Sequence, residues 1–123
     1  MTMQFSFTKQ EHEILPEFRQ KINISESTAD VKKFFVYTVT SLFDKVFAGE
    51  IDFGYEDIAL MPGSDPPYRV ASRLLDSTAV SPVWKNSDLP QVIERLAKTA
   101  MNRYNHLEKK PEKTDAKIRR KQA

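Results

Sequence analysis

The stretch from residue 87 to residue 110, SDLPQVIERLAKTAMNRYNHLEKK, constrains the fold more than any other. Leu89, Val92, Ile93, Leu96, Ala97, Ala100, Met101, Tyr104 and Leu107 recur at steps of three and four, the period of one helix face. Ser87 or Asp88 supplies the N-cap, and Pro90 falls in the first turn, where a missing N–H is tolerated. Lys109 and Lys110 complement the helix dipole before Pro111 stops the run. The spacing predicts a helix over 88–110 with an apolar stripe that needs cover.

A second long helix is expected over 29–48, within SESTADVKKFFVYTVTSLFDKVFAGE. Ser27 or Thr28 caps it, Asp30 lies in its first turn and Gly49 follows its last. The interior FFVYTVT is rich in β-branched and aromatic residues that also suit a strand, but twenty residues between two caps exceed any ordinary strand. Phe35, Val39, Leu42, Phe43, Val46 and Phe47 form a wide apolar face, so this helix is expected to be touched from more than one side.

The remaining segments are less regular. Residues 3–7, MQFSF, suit either a short strand or an extended lead-in. From Thr8, a cap, TKQEHEILPEFRQKI predicts a helix near 9–22 with Glu11 and Glu13 at its acid-favouring start, broken or kinked at Pro16. Residues 50–67 carry both prolines and glycines, with one helical turn expected near 55–61. PPYRVASRLLDST then offers a helix over 67–76, with Asp65 as cap and Val70, Leu74 and Leu75 at helical spacing; the rival is a hairpin pairing 55–61 with 68–75 across PGSDPP. The fold class expected is mostly α: a compact bundle of three or four helices over residues 1–110, with α+β through a 55–75 hairpin as the alternative. Phe34, Phe35, Val39, Leu42, Phe43, Val46, Leu74, Val92, Ile93, Leu96, Ala100 and Tyr104 are the expected core.

Composition narrows the function classes. At 123 residues the chain has room for one core, and its 40% apolar share is enough to fill it. There is no cysteine, which excludes disulfides, thiolate zinc sites and a cysteine nucleophile and fits a reducing compartment. No basic start followed by an apolar run marks a secretory leader, and no stretch has the roughly 20 apolar residues of a membrane span, so a cytoplasmic protein without membrane association is expected. The net charge of +2 conceals an asymmetry: residues 109–123 hold seven Lys/Arg against two acids, and residues 1–108 hold twelve against fifteen. Beyond Pro111 the segment 111–123 has one sizeable apolar residue, Ile118, and is expected to be a disordered basic tail.

No catalytic motif is present. With three glycines there is no phosphate loop, no serine lies in a nucleophile elbow, and His12 and His106 read as polar-face residues of helices. No cofactor or metal is expected. Glu50, Asp52, Glu56, Asp57 and Asp65 form an acidic run around Phe53 and Tyr55, which reads as a docking loop for a basic partner, a divalent site at Asp52, Glu56 and Asp57, or a solvated connector. Trp84, the only tryptophan, reads as a staple onto Val92 or Ile93 or as an interface anchor. Lys109, Lys110, Lys113, Lys117, Arg119, Arg120 and Lys121 suit phosphate contacts, yet no aromatic residue is interleaved for base stacking. A helix-turn-helix is disfavoured, because about eleven residues separate 67–76 from 88–110 where three or four are usual. The function expected is a non-catalytic module that binds another protein or self-associates; the alternative is a nucleic-acid accessory protein that grips phosphate with its tail.

Overall fold

The computed structural model of the chain describes residues 6–49, 51–52 and 54–109. Three long helices, α1 (Thr8–Ile24), α2 (Thr28–Phe47) and α5 (Leu89–Lys109), pack against one another. Between α2 and α5 run a 3-10 turn (Tyr55–Asp57), strand β1 (Ile58–Leu60), strand β2 (Tyr68–Val70) and two short helices, α3 (Ser72–Leu75) and α4 (Ser81–Lys85). The fold is mostly helical with one two-stranded hairpin.

Caps mark both ends of α2 and the start of α5, whereas α1 begins after Phe7 with no side-chain cap, and Thr8, expected as its cap, is its first helical residue. Ser27 Oγ accepts the Asp30 N–H at 3.1 Å at the start of α2. The helix ends with Ala48 in the left-handed region (φ 52°), followed by Gly49 at φ 75°. The terminating residue is thus an alanine, one position before the expected glycine, so the chain spends a non-glycine residue where glycine is favoured. At the start of α5, Ser87 Oγ accepts the Leu89 N–H, leaving Asp88 free to reach elsewhere. Its carboxylate takes the Phe7 N–H at 2.8 Å and the Ser6 hydroxyl at 2.9 Å, which pins the start of α1 to the start of α5.

Two sequence expectations are corrected here. Helix α1 runs unbroken through Pro16. The carbonyl freed by the missing N–H belongs to His12, and both residues are exposed, so the carbonyl is not stranded in the core. The expected helix over 67–76 gives way to the hairpin. Ile58 pairs with Val70, Ala59 with Arg69 and Leu60 with Tyr68, antiparallel, and only Ser72–Leu75 makes a helical turn. Val70 and Leu74 are buried, a result equally compatible with helical spacing, so spacing alone does not separate the alternatives. The strand partner does: Met61 N–H donates to the Pro67 carbonyl at 2.8 Å and Ala71 N–H to the Asp57 carbonyl at 2.7 Å, extending the ladder at both ends. The helical turn expected at 55–61 survives only as the 3-10 turn ahead of β1.

The core draws Phe18 and Ile22 from α1, seven residues from α2, six from α5, and Ile58, Leu60, Val70, Leu74 and Val80 from the connecting segment. The hairpin lies on α2, and β2 also touches α5, so α2 is covered on several sides as its wide apolar face requires. Phe34, Val46 and Tyr104 are only partly buried and border the core instead of filling it.

Candidate functional site

Helix α1 has a groove on each side, and the two differ in chemistry. The groove toward α2, of about 360 Å³, is lined by Ile14, Glu17, Phe18 and Lys21 of α1 and by Lys33, Phe34, Tyr37, Thr38 and Ser41 of α2. Both sets fall at helical steps of three and four, so each helix offers one continuous row. Lys21 and Lys33 stand over the Phe34 ring at 5.7 and 5.3 Å from its centroid. Tyr37 is 54% exposed and meets Tyr55 of the 3-10 turn edge to face at 5.9 Å, with Tyr55 itself 51% exposed. The acids beside the two lysines are remote partners: Lys21–Glu17 and Lys33–Asp30 both measure 4.0 Å. Ile24, 65% exposed, follows Lys21 by three residues at the end of α1.

The groove toward α5, of about 340 Å³, is lined by Arg19, Ile22 and Asn23 of α1 and by Thr99, Asn102, Arg103 and His106 of α5. No acid lines it. Arg103 Nη2 donates to the Ser25 carbonyl at 2.7 Å, while its Nε is buried without a hydrogen-bond partner. The other charged links of the body are self-contained. Arg95 donates two hydrogen bonds to the buried Glu11 carboxylate, at 3.0 and 2.8 Å, tying α1 to α5. That pairing raises the Arg95 pKa, chiefly through the hydrogen bond to Glu11.

The acidic run of the sequence is divided by the fold. Asp57 is buried: its carboxylate accepts the Gly54 N–H at 2.7 Å and both Nε and Nη2 of Arg73, whose Nη1 also donates to the Asp52 carbonyl. The Gly54 amide, ahead of the Arg73 guanidinium, holds the Asp57 carboxyl below its ordinary value. Asp57 therefore serves as the internal hub of the connector. Asp52, Glu56 and Asp65 are exposed, and Glu50 lies outside the described residues. Among the described residues no group of three or more His, Cys, Asp or Glu is placed to hold a metal ion.

Trp84 is half-buried on α4, its ring edge to face with Tyr68 at 6.5 Å. Tyr68 donates its hydroxyl to the Pro90 carbonyl at 3.3 Å, and burial, with Glu94 adding to it, pushes its phenol up to about 12. The ring partner of Trp84 is thus a strand residue, Tyr68, where the sequence offered Val92 or Ile93 of the helix. His12 is exposed on α1. Of the basic segment, Lys109 ends α5, exposed, and Lys110, Lys113, Lys117, Arg119, Arg120 and Lys121 lie outside the described residues. Among the described residues no helix is long and apolar enough to cross a membrane.

Sequence reasoning missed both grooves. Thr99, Asn102, Arg103 and His106 form a polar row on α5 that its period makes legible, but Arg19 and Asn23 join it only through the packing of α1 on α5. Comparison with protein-family models, with curated proteins and with solved structures returns no match for this chain.

Proposed function

We propose that the chain is a non-catalytic, cytoplasmic docking module whose α1–α2 groove takes an amphipathic segment of a partner protein, with apolar or aromatic anchors flanked by carboxylates. The observation that carries this reading is Tyr37, 54% exposed at the mouth of a groove whose wall is Phe34 and whose rims are Lys21 and Lys33. Tyr37 is the one large apolar residue of α2 that is exposed, and it lies on this row. Exposed aromatic residues beside a concave apolar wall are the usual anchors of protein interfaces. The groove is at the lower end of the roughly 300–1,000 Å³ typical of small-molecule sites, a size that suits one or two side chains.

Charge selects the partner. Ion pairs at 4.0 Å between exposed side chains hold little energy, so Lys21 and Lys33 lose little on turning to a partner's carboxylates. The cysteine-free composition agrees with a reducing setting. Selection of a random-peptide display library on the full-length chain is expected to enrich segments with Phe, Trp or Leu anchors next to Asp or Glu. Tyr37→Ser is expected to weaken the enriched peptides about tenfold, and the double change Lys21→Glu, Lys33→Glu to abolish the acidic preference. Enrichment indifferent to both changes overturns the reading. A sedimentation mass that rises with concentration and reverts in Tyr37→Ser makes a second copy the occupant instead.

A further inference from the structure

We infer that the groove between α1 and α5 is an oxyanion site for a phosphate monoester. Arg19 and Asn23 from one helix and Thr99, Asn102, Arg103 and His106 from the other converge on it, a set of donors with no carboxylate among them. Such a patch is unusual on this body, where residues 1–108 carry fifteen acids against twelve Lys/Arg. The contrast with other arginines is sharper. Arg73 and Arg95 are each held in two hydrogen bonds by a buried carboxylate, whereas Arg19 has no ion pair or hydrogen bond among the described residues.

Arg103 is already oriented. One of its terminal nitrogens is tied to the Ser25 carbonyl at 2.7 Å, so its guanidinium is held before any ligand arrives. Two guanidinium groups match the charge of a dianion, and the side chains of His106, Asn23, Asn102 and Thr99 add hydrogen-bonding groups for its remaining oxygens. The groove exceeds a bare phosphate in volume, which leaves room for the esterified group. This site uses the face of α1 at Arg19, Ile22 and Asn23, separate from the row at Ile14, Glu17 and Lys21 that borders α2. It is therefore independent of the docking reading.

The test is a ¹H–¹⁵N NMR titration of the full-length chain with inorganic phosphate against sodium chloride at matched ionic strength. Saturable shifts confined to the Asn23 and Asn102 side-chain amides, the Arg103 Nε–H and the backbone of 99–106 are expected. A nucleoside 5′-monophosphate and a sugar phosphate should saturate the same signals at lower concentration than inorganic phosphate. The change Arg19→Gln, at an exposed residue with no ion pair or hydrogen bond among the described residues, should weaken binding about tenfold, and Lys85→Gln, exposed on α4 and in neither groove, should leave it unchanged. Shifts that chloride reproduces, that fail to saturate, or that ignore Arg19→Gln overturn the proposal. Tighter saturation of these signals by an oligonucleotide lacking terminal phosphates overturns the monoester assignment in favour of a nucleic-acid backbone.

Discussion

The helices α1, α2 and α5 meet through rows of fully buried side chains, Phe18 and Ile22 against Val31, Phe35, Val39 and Leu42, and these against Val92, Ile93, Leu96 and Ala100. The connector from residue 51 to residue 85 adds five core side chains, and three residues of each strand are paired. Its shape depends on polar hubs: Asp57 gathers Gly54 and Arg73, and Tyr68 joins Trp84 to the first turn of α5. Redundant apolar contacts hold the helical frame, and the Glu11–Arg95 pair and Asp88 add to them between α1 and α5. The connector concentrates its order in a few hydrogen bonds, so single polar changes should be felt there, and locally.

The largest effect should come from the frame. Phe35→Ala or Leu96→Ala, at positions with 0% and 1% exposure, is expected to cost about 3–5 kcal/mol, read as a fall in the urea midpoint, with the hairpin lost along with the helices. Asp57→Asn should cost about 1–2 kcal/mol, less than for a fully buried pair because Arg73 is 59% exposed. Its signature is local: amide exchange should accelerate over 54–76 while α1, α2 and the centre of α5 stay protected. Equal acceleration in the three helices would break the distinction between the regions.

The same residue gives a pH test. Because the folded Asp57 pKa lies below its ordinary value of 3.8, its contribution is complete above the unfolded value and is lost as pH falls through the folded one. Stability of the wild type should therefore drop more steeply than that of Asp57→Asn on acidification below about pH 5. Tyr68→Phe is smaller, about 1 kcal/mol for one hydrogen bond to Pro90. A phenol raised to about 12 favours the neutral form, so its contribution is present below 10 and lost as pH rises towards 12, a loss that Tyr68→Phe should remove. The smallest expected change is a gain: Ala48→Gly relieves a left-handed alanine at the frame's edge and should stabilise the chain by about 0.5–1 kcal/mol in thermal unfolding.

Periodicity made the frame readable. The α5 row from Leu89 to Ala100 is buried as its spacing requires, and Ser27 and Asp30 form the cap that the sequence offers. Phe34 was misplaced into the core because a wide apolar face does not reveal where its covered part ends. In the connector, Tyr68, Arg69 and Val70 satisfy a helix or a strand on local grounds, and the partner strand eight or more residues away decides between them. Asp57 looked like one acid among five. Nothing local distinguishes it from Glu56 until Arg73 is brought beside it.

The sequence by itself determined the helix periods, the Ser27 and Ser87 caps, the acid excess of residues 1–108 and the basic character of residues 109–123, because these depend on neighbours within a turn or on composition. Tertiary structure decided that residues 58–70 form a hairpin, that Asp57 is an internal hub, and that α1 contributes Lys21 to an aromatic groove and Arg19 to a basic one. The reason is range: each of these choices is made by a group distant in sequence, and no local pattern records which distant group will arrive.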